Sequence, residues 1–250
     1  MLSIVLPHVT THPPPPRARA PQSFEPQNLA NTAWAFATVG LEARPLFEAL
    51  TKVGSLCLNS FEPQHIANIL WSLAANGHCS DVQFWQRIWG KALACIVRDV
   101  DLAQLQQARL FAMHIAPQLR LAPAPPEMVV KLRAAFSGAP AKASRSQEEC
   151  SAALHRIGWP HADEHFTVEG HSIDMANVAT RVGVEFDGPT HYLNDASTLN
   201  GTTGFKKRLL QAEGWTIVSI KYSDWDRVVR SFPDQETFVR GRLESAGVKW

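Results

Sequence analysis

The first 24 residues contain no aspartate or glutamate, no apolar run approaches a bilayer span, and the four cysteines form no CxxC pair. A membrane-spanning helix needs about 20 consecutive apolar residues, so that class is excluded. Without paired spacings, Cys57, Cys79, Cys95 and Cys150 read as buried free thiols in a reducing compartment. His155, His161, His165 and His171 also lack a recognised zinc spacing, and a surface or hairpin role is expected for each. The acid-free start is compatible with an organelle transit peptide, although two arginines and the run Pro13–Pro16 exclude a long amphipathic helix. Residues 1–22 are therefore read as a disordered leader or a partial transit peptide.

What is present suits a packed core. Apolar residues make up 45% and charged residues 19% of 250 positions, enough for one large domain or two modest ones. The charge is unevenly spread. Residues 1–147 hold 13 basic and 8 acidic side chains, and residues 148–250 hold 11 and 15. The first half suits a polyanion, and the second is better matched to a cation.

The chain repeats itself. "SFEPQNLANTAWAFA" begins at Ser23 and "SFEPQHIANILWSLA" at Ser60, an offset of 37 residues, and a fainter copy runs through residues 101–115 with Phe111 in the place of Trp34 and Trp71. Each copy predicts a helix: Pro26 and Pro63 suit the first turn, apolar residues recur at three- and four-residue spacing, and Gly40 and Gly77 are natural stops. A second apolar-faced helix follows each, and the third unit pairs residues 101–116 with 125–136. Repeating helix pairs indicate an α-solenoid over residues 23–136, with the tryptophans in its core.

Residues 137–147 read as a linker. Beyond them the order helix, three strands, helix, strand, helix predicts a small mixed sheet flanked by helices, the final helix containing Trp225, Val228 and Val229. "RVGVEFDGPTHYL", residues 181–193, is a half-buried strand with Glu185 and Asp187 on one face, roughly 7 Å apart. Pairing with the preceding strand brings Asp174 to the same side. Three neighbouring carboxylates suit Mg²⁺, and such a metal activates water against a phosphodiester, with His191 as an acid–base group and Lys206 as a phosphate contact. Local hydrogen bonds from Asp187 and His191 that fix the Gly188-Pro189 turn are the simpler alternative.

The segments Pro26–Trp34 and Pro63–Trp71 resemble the octotricopeptide repeats of organellar proteins. That resemblance implies about one RNA nucleotide per helix pair. The polar positions of the first helices are then candidate contacts: Gln27, Asn28, Asn31, Thr32, Gln64, His65 and Asn68, with Arg109 from the third copy. Asn31 and Asn68, identical at equivalent positions, equally suit hydrogen bonds between neighbouring repeats.

Residues 148–240 resemble the RAP domain, the RNA-binding domain abundant in apicomplexans. The likeness rests on Ile173-Asp174, Val184-Glu185-Phe186-Asp187-Gly188-Pro189-x-His191, Lys207-Arg208-x-Leu210, Gly214-Trp215 and Trp225. It implies a fold of the restriction-endonuclease-like PD-(D/E)XK type, a helical-repeat companion and an address in a mitochondrion or chloroplast. Asp187 stands where such a nuclease has lysine, and Lys206, Lys207 or Lys221 would have to supply it. Lys206, Lys207 and Arg208 are further candidates for phosphate contact.

The resulting reading is an organellar RNA-binding protein acting in RNA processing, stability or translation. Single-stranded RNA is the partner, other RNA-processing proteins are further ones, and no membrane or small-molecule cofactor is expected. A metal-dependent endoribonuclease using Mg²⁺ at Asp174, Glu185 and Asp187 is the first alternative. A protein-interaction solenoid without nucleic acid is the second.

Overall fold

The computed structural model describes residues 25–138, 142–195 and 197–250; the expected leader at 1–22 lies outside them. The helix pairs are present: α1 (Pro26–Val39) with α2 (Arg44–Leu56), α3 (Pro63–Ala75) with α4 (Val82–Cys95), and α5 (Asp99–His114) with α6 (Pro126–Ser137). Proline opens α1, α3 and α6, where its missing N–H leaves no bond unmade. Gly40 ends α1 in the left-handed conformation, at φ 71°.

The first helices α1, α3 and α5 lie side by side. Asn68 accepts a hydrogen bond from Gln104 Nε2 at 3.0 Å, and Trp71 Nε1 donates to Gln107 Oε1 at 3.2 Å. Both bonds join residues 36 apart, so successive units stack in parallel. From Ile66 to Ala75 every residue of α3 is buried. The second helices are tied to flanking loops: Trp85 donates to the His78 carbonyl, Trp89 to Ala122 and Lys91 to Leu58. Phe111 is in the core as expected, stacked on Trp85. Trp34 is not: it is 43% exposed where Trp71 is 4% exposed.

The second half comprises α7 (Arg145–Arg156), β1 (Ala162–Phe166), β2 (Ser172–Asn177), β3 (Val182–Asp187), α8 (Gly201–Ala212), β4 (Thr216–Lys221), a single turn α9 (Tyr222–Trp225) and α10 (Phe232–Ser245). The sheet order is β1-β2-β3-β4, antiparallel except for the parallel β3–β4 pair, which α8 connects. The final helix departs from expectation. The segment around Trp225 makes one turn, and the long helix starts later, where Ser231 caps it and Pro233 occupies its first turn.

One sheet face, with Met175, Val184, Phe186, Val218 and Ile220, packs against α7, α9 and α10 through Trp225, Val239 and Leu243. The other face, with Ile173 and Ile217, meets Leu210 of α8. Gly183 is required there, because a Cβ would lie 2.8 Å from Ile173 Cγ2. The mixed sheet with helices on both faces is an architecture shared by many small domains and is not specific to the restriction-endonuclease-like type.

The opposite side of α8 enters the core of the helical array. Phe205 and Leu209 are fully buried among its residues, and Phe205 meets Trp71 and Phe111 edge-on at 6.2 and 6.4 Å. Gly201 makes the closest approach: a Cβ would sit 1.8 Å from the Ala37 carbonyl oxygen. Arg208 donates to the Ala75 carbonyl at the end of α3. A second seam centres on Glu169 in the β1–β2 turn, which pairs with Arg109 at 3.0 Å and with Arg133. Gln106 Nε2 donates to the Glu169 carbonyl at 2.9 Å. Burial pushes the Glu169 carboxyl up, but the two guanidinium groups outweigh it and hold the group at about 2. The expected linker at 137–147 is trimmed at both ends, because Ser137 closes α6 and residues 145–147 already belong to α7 (Arg145–Arg156), and the two halves share a core through α8.

Candidate functional site

The expected acidic residues gather where β2 and β3 part. The ladder runs from Asn177↔Val182 to Met175↔Val184. At the next step Asp174 replaces the missing rung: its Oδ2 accepts the Phe186 N–H at 2.8 Å. Burial raises the Asp174 carboxyl, and the Phe186 N–H opposes the rise.

On β3, Glu185 and Asp187 point toward α8 and are 7% and 2% exposed. The parallel register sets Ser219 beside Glu185 and Lys221 beside Asp187. Lys206 Nζ on α8 donates to Glu185 Oε2 at 2.7 Å. His191, in the single helical turn after Gly188-Pro189, bonds Asp187 Oδ1 through Nδ1 at 3.0 Å. Burial pushes Glu185 up to about 7 even with Lys206 in contact, and Asp174 and Asp187 add to the rise. His191 is raised by its hydrogen bond to Asp187. The local-turn role expected of Asp187 and His191 is therefore present, inside a larger charged cluster.

Does this cluster fit Mg²⁺? Glu185 Oε1 and Asp187 Oδ2 are buried with no hydrogen-bond partner, which would suit a cation. The remaining observations go the other way. Lys206 already supplies positive charge to Glu185 at contact distance, and His191 Nδ1 already occupies Asp187 Oδ1. The cleft between β3, β4 and α8 encloses about 10 Å³, close to the space of a single water. Among the described residues, the group whose three ligand atoms all lie within 4.8 Å of one another is His155, His161 and Asp163, not the acidic trio. The residues as placed do not fit one Mg²⁺ held by Asp174, Glu185 and Asp187, and no chemical step is routed through it.

The candidate RNA contacts divide. Gln27, Asn28, Asn31 and Gln64 are exposed at the open N-terminal turns of α1 and α3, with Thr32 half-buried beside them. His65 is half-buried and its Nδ1 accepts the Glu62 N–H, capping α3. Asn68 is buried in its bond to Gln104, the inter-repeat role. Arg109 is 13% exposed and held by Glu169, so it belongs to the seam between the halves. Lys206, Lys207 and Arg208 do not form one basic face. They bond to Glu185, to Ser219 and to the Ala75 carbonyl respectively. Successive helical residues point about 100° apart, which is why a run in sequence disperses in space. Sequence reasoning missed Glu169 and Arg133: a lone turn glutamate and a helix arginine carry no motif, and only the packing of the halves joins them.

A helical array whose core takes in the crossover helix of a mixed-sheet module, with a buried acid cluster at the fork of two strands, defines a helical-repeat protein with a compact C-terminal α/β domain. Within that C-terminal part lies a RAP domain: the family model so described matches residues 184–242, from β3 into α10. A protein of Oryza sativa subsp. japonica named "RAP domain-containing protein, chloroplastic" is 31% identical over 78 residues. The match covers 31% of this chain and 12% of the rice protein, so the chain spans only a small part of that relative. No helix among the described residues is long and apolar enough to cross a membrane.

Proposed function

We propose that the protein binds single-stranded RNA in the chloroplast and acts in RNA processing, stability or translation without cutting its target. The supporting observation is the embedding of α8. It makes the RAP domain and the helical array one continuous body, so RNA laid along the array is held at a fixed position relative to the RAP domain. α8 covers the C-terminal halves of the first helices, leaving their N-terminal turns open. Gln27, Asn28, Asn31 and Gln64 are exposed there, and side-chain amides of this kind bond both phosphate oxygens and base edges. Base contacts or stacks contribute about 1–3 kcal/mol apiece, so a unique transcript site needs contacts beyond these units, from further repeats or from RNA-processing partners.

The test is fluorescence anisotropy of the full chain with single-stranded RNA oligomers across a salt series. Binding should weaken steeply with salt, and alanine at Gln27, Asn28, Asn31 and Gln64 together should reduce affinity at least about tenfold. Negligible affinity even at low salt would sink the proposal and favour a protein-interaction solenoid. Cleavage that requires Mg²⁺ or Mn²⁺ and is lost on Glu185→Ala would replace it with the endoribonuclease reading.

A further inference from the structure

Away from the acid cluster, the structure brings together four side chains that the sequence spacing leaves unremarked. Ser151 and His155 sit one turn apart on α7, His161 lies in the connection to β1, and Asp163 is on β1 itself. The rings of His155 and Trp159 both stack on His161, with centroids 4.1 and 5.1 Å away. One ligand atom each from His155, His161 and Asp163 falls within a 4.8 Å group.

The hydrogen bonds show what is missing there. His161 Nδ1 lies 3.0 Å from the Trp159 carbonyl, which can only accept, so Nδ1 carries the proton. In the neutral ring Nε2 is then a bare lone pair. It faces Ser151 Oγ at 3.0 Å, and the same Oγ lies 2.8 Å from Asp163 Oδ1, itself 3.6 Å from Nε2. One hydroxyl proton thus serves two acceptors. A nucleophile relay is excluded, because Asp163 bonds the serine and not the far nitrogen of the imidazole. A carbonyl fixing the distal nitrogen of an imidazole, and a hydroxyl on the carboxylate, are the supports that metal-ligating histidines and aspartates carry.

We propose that His155, His161 and Asp163 form a site for a borderline divalent transition metal, Zn²⁺ in the first place, with Ser151 and the Trp159 carbonyl orienting the ligands. Two imidazoles and one carboxylate are a donor set that zinc accepts, with a fourth, tetrahedral position open to water. The exposed His155 turns its ring to offer a nitrogen, and the bound ion staples the end of α7 to the start of β1.

The experiment titrates the full chain with Zn²⁺ by calorimetry and with Co²⁺ by visible absorption. One equivalent should bind, with the Co²⁺ spectrum of a tetrahedral site and a higher melting temperature. His155→Ala and Asp163→Asn, both at exposed positions, should keep the metal-free melting temperature and lose at least about 100-fold in Zn²⁺ affinity. Ser151→Ala should lose about 10–100-fold. Two results would overturn the proposal. One is no Zn²⁺ binding, which would leave Ser151 Oγ bridging His161 and Asp163 by hydrogen bonds alone. The other is binding equally tight in both variants, as ions held at Cys57, Cys79 or Cys95 would give.

Discussion

The segments Pro26–Trp34 and Pro63–Trp71 share most of their residues, and the fold puts them to different uses. In α1 the tryptophan and asparagine are exposed; in α3 the same two are buried, bonded to Gln107 and Gln104 of the next unit. α3 has first-helix neighbours on both sides, α4 behind and α8 across its end. The shared sequence makes both helices, while the neighbours decide which side chains are core and which are left to meet a ligand.

The sharpest way to test this contrast is the tryptophan pair. Trp71→Ala should cost about 3–5 kcal/mol in urea unfolding, and Trp34→Ala less than about 1. Equal costs would mean that the two positions are equivalent after all. Phe205→Ala should make α3 more like α1: a loss of about 3 kcal/mol, with a red-shifted tryptophan emission from Trp71.

The acid cluster next to the seam gives a pH test. Glu185 holds its proton more tightly folded than unfolded, so its stabilising contribution is complete below about 4.5 and is lost as pH rises through about 7. Glu185→Gln should therefore flatten the stability profile over that window and gain on the order of 1–3 kcal/mol above it. Glu169 runs the other way. Its contribution is present above about 4.5 and lost as pH falls through about 2. Glu169→Gln should cost about 2 kcal/mol at neutral pH, and the gap from the parent should close in acid.

The smallest effect divides the two asparagines. Asn68→Ala should cost about 1 kcal/mol of stability, since it leaves Gln104 without its acceptor, and should barely change RNA affinity. Asn31→Ala should do the reverse.

The repeat was legible because proline, apolar period and glycine recur in register at 26–40 and 63–77. The sheet topology was legible because a helix between two strands has to cross over. The convergence of Glu185 and Asp187 followed from strand alternation. The fate of α8 could not be read in this way. Phe205 and Leu209 announce an apolar face, and nothing local says that it faces the array while Leu210 faces the sheet. The start of α10 was hidden by Phe232-Pro233, which reads equally well as loop. The three-residue cluster at His155, His161 and Asp163 was hidden because it spans a helix end, a turn and a strand, whose relative placement only tertiary packing fixes.

Because α8 is claimed from both sides, the C-terminal module is not a portable cassette. Cut free before α7, it would carry Phe205 and Leu209 as an uncovered greasy scar, and the array left behind would have a matching trench beside Trp71 and Phe111. Each fragment would be prone to clump alone, and mixing the two should restore a soluble whole.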